Sequence, residues 1–264
     1  MNGFIPLYQR RLALAVKRPV ALIGQLLTPV LWVLVVGPAL ARAFGSAAHG
    51  IDYFSYVSVG QIVFVLPFTA MFAGLVVMFD RDYGVLRELL VAPIHRSMIV
   101  LAGIAAILTV AAGQTALIIA LALARGASFH VSALPLIAAL SGAGLLTAGT
   151  YGLAELLAYS IAQAQNFGTL IPAIGATPYA LSGALYPIAA MPNGVRQLSW
   201  ALPWTHAVAL LRYGLIGARA AQLNQIWHMH SQTTMALLSL AVLVAYAAIT
   251  IPLAIRKFHR ATTR

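Results

Sequence analysis

Three of the five acidic residues in this 264-residue chain fall within nine positions: Asp80, Asp82 and Glu88. They stand in the run Phe79-Asp-Arg-Asp-Tyr-Gly-Val-Leu-Arg-Glu-Leu-Leu-Val-Ala-Pro93-Ile-His-Arg96. Val85, Leu86, Leu89 and Leu90 recur at helical spacing and define one apolar face. Pro93 pushes the residue before it out of α geometry and should end the helix. The pattern predicts a short amphipathic helix of mixed charge. Such a helix is either a docking surface or an ordinary solvated loop.

Other chemistry is excluded by what is missing. A phosphate-binding loop needs Gly-Lys followed by Ser or Thr. The two lysines follow Val16 and Arg256, so the chain cannot bind nucleotide that way. Cysteine is absent, which removes disulfides, thiolate metal sites and a cysteine nucleophile. Ser182-Gly183 has no histidine near it in sequence, and small-residue helix packing explains it better than catalysis. His228 and His230 are two apart and point to different faces of a helix. His49, His130 and His206 are isolated near presumed outer edges. Polar and aromatic residues inside apolar runs are the other candidates. Phe64, Phe68 and Phe72 recur every four residues, flanked by Gln61 and Thr69. Gln25 and Thr28 sit one turn apart, just before Pro29. Each group could equally serve helix packing or inter-helix hydrogen bonding.

The elements that must carry these residues follow from composition. The chain is 61% hydrophobic and 8% charged, against about 25% charged in soluble domains. That excludes a typical soluble enzyme and a disordered chain. The net charge of +11 clusters at the edges of uncharged runs rather than on a soluble basic face. It therefore argues for membrane orientation and against nucleic acid. A spanning helix needs about 20 apolar residues. Reading between charges predicts an all-α membrane protein that is one transmembrane domain, 1–264, with six spans: 20–41, 55–79, 98–124, 134–157, 167–190 and 233–255. Residues 80–96 form the loop between spans two and three, and residues 192–232 a re-entrant or interfacial outer segment between spans five and six.

The first 18 residues read as an amphipathic interfacial helix. Arg10, Arg11, Lys17 and Arg18 share one face, and Ile5, Tyr8, Leu12 and Val16 the other. The apolar run after Arg18 is too long for a cleavable signal peptide. Glu155 falls at the expected cytoplasmic end of span four, where snorkelling lowers its cost. Trp200, Trp204 and Trp227 read as an interfacial belt.

The 80–96 segment resembles the cytoplasmic loop of type-2 ABC exporter permeases. That loop runs Phe, an acidic-basic cluster, Gly, then Leu-Glu-x-Leu-Leu-Val-x-Pro and a basic residue. Leu181-Ser-Gly-Ala-Leu-Tyr-Pro187 through Pro192 resembles the same family's fifth span and exit, as does Leu198-Ser-Trp-Ala-Leu-Pro203-Trp-Thr-His through Arg212. Leu202-Pro203 departs from the Asn-Pro of many members, and Arg87 from their residue before the acid. The resemblance implies a permease subunit in the cell membrane, exporting an amphipathic drug, lipid or glycan. It implies a homodimer or a heterodimer with a second permease, contact with membrane lipid, and a cytoplasmic ATPase subunit. It makes residues 80–96 the coupling helix, with Asp82, Arg87, Glu88, Leu89 and Leu90 docking on the ATPase. It lines the central cavity with the second and fifth spans, the second of which carries Gln61, Phe64, Phe68 and Phe72; Gln25 and Thr28 on the first span are the further candidates for the substrate path. The chain would itself be no enzyme and hold no cofactor; ATP and Mg would belong to the partner. The alternatives are a secondary transporter, which wants ionisable residues buried mid-span, and a membrane-embedded lipid-modifying enzyme, which wants a clustered polar site. A scaffold or assembly factor is a third.

Orientation gives the first test. Eleven basic residues fall on the side of the termini and the 80–96 loop, and five on the other, in the six-span reading. The positive-inside rule then puts both termini in the cytoplasm. Reporter fusions at Arg87 should report cytoplasmic, and fusions at Ala47, Ala127 and Gln222 external. An external reporter at Arg87 overturns the arrangement.

Overall fold

The structure is a computed structural model, and it describes residues 3–17, 19–44, 52–85 and 95–261. Among these residues there are helices and turns and no strand. Helix α1 spans Phe4–Val16. Helix α2 (Pro19–Leu31) and helix α3 (Gly37–Phe44) form one rod, joined through a π-helical turn at Trp32–Val36. Then come the long helices α4 (Tyr53–Asp82), α5 (Arg96–Ala124) and α6 (Ala133–Ala158). Helix α7 covers Ala164–Leu181. Four shorter helices follow: α8 (Asn193–Trp200), α9 (Pro203–Leu215), α10 (Ala218–Ala221) and α11 (Leu223–Trp227). Helix α12 (Gln232–Ala261) is the last.

Five of these rods are long and apolar enough to cross a membrane: Leu22–Ala43, Tyr53–Asp82, Arg96–Ala124, Ala133–Ala158 and Gln232–Arg260. The chain is thus a multi-pass membrane protein. The region expected as the fifth span, 167–190, is built differently. Helix α7 has 18 residues with Pro172 and Pro178 inside it. At about 1.5 Å per residue it reaches roughly 27 Å, somewhat short of a bilayer core of about 30 Å. It stops at Leu181 because Gly183 takes φ +78°, a left-handed conformation that turns the chain. Residues 182–190 are a turn and a single 3-10 turn at Ile188–Ala190 instead of a helix end.

Local chemistry sets the ends of α4. Asp52 accepts from the backbone N–H of Phe54 at 3.0 Å and from the hydroxyl of Ser55, an N-cap that satisfies otherwise orphaned donors. The other end runs three residues past the expected 79 and closes with Gly84 at φ +78°. Helix α6 is the central post. It packs against α4, α9 and α12. Small residues let it approach closely: a Cβ on Gly152 would lie 3.0 Å from the backbone of α12.

Helix α1 lies against α5, with Tyr8 and Thr109 hydroxyls 3.0 Å apart. Its packed face differs from the expected one. Leu7 and Arg11 are the buried residues, whereas Ile5 and Val16 are exposed. Arg11 therefore leaves the basic face, for a reason given below.

The turn after α7 presses on α4. A Cβ on Gly60 would sit 2.4 Å from the Ala184 carbonyl oxygen, whereas one on Gly113 would meet nothing within 4 Å. Gly60→Ala should cost about 1–3 kcal/mol through overpacking, read as a lower melting temperature in detergent. Gly113→Ala should leave that temperature unchanged or raise it. Equal melting of the two variants would show that the turn does not seat on α4.

Candidate functional site

Two semi-enclosed cavities run along one side of α4. The first, about 410 Å³, is lined by Gly24, Gln25, Thr28, Phe64, Phe68 and Phe72. The second, about 290 Å³, shares Gln25 and Phe72 and continues towards α1 past Leu14, Leu22, Thr69 and Ile107. Five of the six residues expected on the substrate path thus line one wall. Gln61 does not. It is buried on another side of α4 and donates from Nε2 to the Tyr179 hydroxyl of α7 at 2.8 Å.

The aromatic stripe is a wall with backing. Phe64 and Phe68 rings lie 4.6 Å apart, and Phe64 meets Tyr179 edge-on at 5.0 Å. Phe68 leans on α7 at Gly175, where a Cβ would lie 2.6 Å from the ring. A polar knot closes the wall on the far side. Thr69 donates to Gln114 Oε1 at 2.7 Å and lies 3.3 Å from Gln25 Oε1. Gln114 Nε2 is buried without a partner among the described residues. No charged side chain lines either cavity among the described residues. This arrangement can hold an apolar or aromatic body and offer it amide and hydroxyl groups. It does not present the clustered acid and base that hydrolysis needs, and no group of metal-ligating residues occurs among the described residues.

At the α1 end, charges gather. Asp80 is held by Arg10 at 3.0 and 3.2 Å and by Arg11 at 3.0 Å. Arg81 donates to the carbonyls of Ala158, Ile161 and Ala162 at 2.7–2.9 Å, capping the end of α6. It also pairs with the exposed Asp82 at 2.9 Å. The base of the 80–96 segment is therefore tied to α1 and to the α6–α7 connection. Of the residues expected to dock on an ATPase, Asp82 is exposed there, and Arg87, Glu88, Leu89 and Leu90 lie outside the described residues. Glu155 does not snorkel. It is fully buried and accepts from Tyr151 at 2.7 Å.

At the Asp52 end, Arg212 corrects another expectation. It counted among the external basic flanks, but it is buried and stacks on Tyr56 with its guanidinium carbon 3.3 Å from the ring centre. Its two amino groups donate to Gly183, Ala184 and Tyr56 carbonyls at 2.8, 2.6 and 3.3 Å. Tyr56 and Tyr53 add bonds to the carbonyls of Gly183 and Leu185 at 3.1 and 3.0 Å. The tryptophans also turn inward. Trp204 is buried beside Tyr246, and Trp227 donates to Ser239, which in turn contacts the buried His206. Burial holds the His206 imidazole below its usual pKa.

Residues 3–216 match the model of the ABC-2 type transporter family, and the chain belongs to that family. Among named proteins it is similar to the "Putative transport permease ycf38" of Porphyra purpurea, 29% identical over 78% of this chain and 72% of that one. The protein of the same name from Pyropia yezoensis is 28% identical over 77% and 70%. A transport permease of the ABC-2 type is therefore the class that the helices and the comparisons define.

Arg212 gives the test of this geometry. Lysine keeps the charge but has one ammonium group, and it cannot serve three carbonyls while lying flat on Tyr56. Arg212→Lys should cost about 1–3 kcal/mol from the carbonyls left unpaired and lower the melting temperature in detergent. An unchanged melt would mean that the clamp holds nothing.

Proposed function

We propose that this chain is the permease subunit of an ATP-driven exporter that moves an amphipathic substrate across the cell membrane. In this reading α7 completes a set of six spans, with both termini cytoplasmic. Two copies, or this chain and a sibling permease, enclose the pathway. A separate cytoplasmic ATPase supplies ATP and Mg, because this sequence has no Gly-Lys-Ser/Thr. The 80–96 segment seats on that ATPase, with Glu88 and the Leu89-Leu90 face as its contacts.

The observation that carries this reading is the pair of cavities along α4, in a chain that belongs to a transporter family. Gln25, Thr28 and the phenylalanine stripe face them, and charge is absent from their lining among the described residues. A secondary transporter would bring ionisable groups to such a site; here they sit at its ends. Substrate would slide its apolar part along Phe64, Phe68 and Phe72 while Gln25 and Thr69 bind its polar atoms.

The test is reconstitution in vesicles with the ATPase that co-purifies. The permease alone should hydrolyse no ATP, and the complex should hydrolyse it faster with transported substrate. Phe64→Ala, Phe68→Ala and Phe72→Ala combined should change the ranking of substrates at least tenfold between the best and worst affected. Unchanged transport of every substrate would assign the stripe to packing. Failure of any ATPase to co-purify would overturn the exporter reading.

A further inference from the structure

The ion cluster at the α1 end is unevenly paired. Asp80 has two cationic partners, Arg10 and Arg11. Glu155, fully buried, has none within hydrogen-bond reach among the described residues. Its Oε1 accepts from Tyr151, and its Oε2 has no partner among the described residues. Arg11 mirrors this. Its Nη1 holds Asp80, and its Nη2 is buried with no partner among the described residues. Tyr151 stands between them: it lines the same void as Arg11 and donates to Glu155 at 2.7 Å. That void, about 50 Å³, is lined by Arg11, Tyr151, Gly103 and Ala106 among others. One water needs roughly 10–15 Å³ of such space. The side chain at this site thus has room to move.

Buried polar atoms without partners are uncommon and call for an explanation. Here an unspent donor on Arg11 and an unspent oxygen on Glu155 stand around one residue, Tyr151. We infer that Arg11 is a positioning residue that passes between Asp80 and Glu155, and so transmits movement of the 80–96 segment to α6. This rests on the reading of that segment as the coupling element. Three features fix which group moves. Asp80 keeps Arg10 when Arg11 leaves, so neither the acid nor the cation is stranded. Tyr151 is pinned, since a Cβ on Gly103 would fall 2.1 Å from its hydroxyl. Glu155 is one turn from Tyr151 on the same rigid helix. Arg11 alone has a long stem ending in a donor fork, able to hold one acid or bridge two.

The exchange is between two discrete pairings. In the described state the cations stand two on Asp80 and none on Glu155. In the other, each acid has one. A pull on the last turn of α4 displaces Asp80 relative to α1 and shifts the balance between them. Bistable elements of this kind turn small displacements into definite states.

Glu155→Gln tests this. The amide keeps an oxygen for Tyr151 and leaves the Arg11–Asp80 pair intact. The variant should fold, assemble with the ATPase and keep basal ATP hydrolysis, while transport falls at least tenfold. In an Arg11→Gln background the same change should cost nothing further, because Glu155 acts through Arg11. Transport at the wild-type rate in Glu155→Gln, or losses that simply multiply, would overturn the inference without touching the exporter reading. A second measurement covers a variant that misfolds. The chain has no cysteine, so spin labels at Lys17→Cys and Ser160→Cys, both exposed, report the separation of α1 and α6 uniquely. That distance should shift when nucleotide is trapped in the complex. A distance that stays fixed would show that Arg11 does not change partners.

Discussion

Arg212 is buried with no carboxylate against it among the described residues, and the end of the molecule around the turn after α7 is arranged about that fact. An isolated buried cation is expensive, and it persists only where dipoles and aromatic faces replace water. Three carbonyls and the Tyr56 ring do so here. Two of those carbonyls belong to the turn after α7. The cation therefore fixes where α7 ends. Through the Tyr179 contacts with Phe64 and Gln61, it also fixes the wall behind the cavity. Gly60 is the complementary concession on α4, because any side chain there would push the turn away.

The long helices were legible in the sequence because their determinant is local. A run of about 20 apolar residues between charges must cross or be buried, whatever it packs against. The read boundaries of α4, α5 and α6 lie within three residues of the observed ones. That Phe64, Phe68 and Phe72 share one face was legible for a similar reason, since four-residue spacing sets a face. What depended on tertiary contacts was not. Arg11 was assigned to the wet face of α1 by its charge, whereas Asp80, some seventy positions away, draws it inward. Glu155 and Trp204 were placed by residue type at a membrane edge, and both are buried. The uncharged stretch 156–195 hid a turn at Gly183 that charge spacing cannot reveal. Gln114 carried a readable signal, a lone amide in the middle of an apolar helix, and it proves to be Thr69's partner.

A membrane helix bundle has little hydrophobic drive to hold its helices together, so packing of small residues and polar contacts must do it. In this chain the two are separated in space. Helix α6 meets α12 through glycines. Polar contacts concentrate at the ends of α4 and in the Thr69 knot at its middle. The phenylalanine stripe gives the cavity a largely apolar face on α4, with the lining broken only by the Gln25, Thr28 and Thr69 side chains among the described residues, which suits a surface along which an apolar body can slide.

The two buried arginines then differ in one respect that matters for motion. Arg212 spends both amino groups on backbone carbonyls and pairs with no acid among the described residues. Its pairing has one solution, so its end of α4 is a fixed point. Arg11 spends one amino group and leaves the other without a partner among the described residues, so in the inference above its pairing has two solutions. If Arg11 exchanges partners as inferred, a helix clamped at one end and bistable at the other would pivot about the clamp when the free end is pulled. The side chains between, Phe64, Phe68 and Phe72, are carried along with it. Displacement grows with distance from the clamp, so Phe72 moves furthest and Phe64 least. The cavity would therefore change shape mainly on the α1 side, where it is lined by Phe72 and Leu14, and least beside Phe64, which rests on Tyr179.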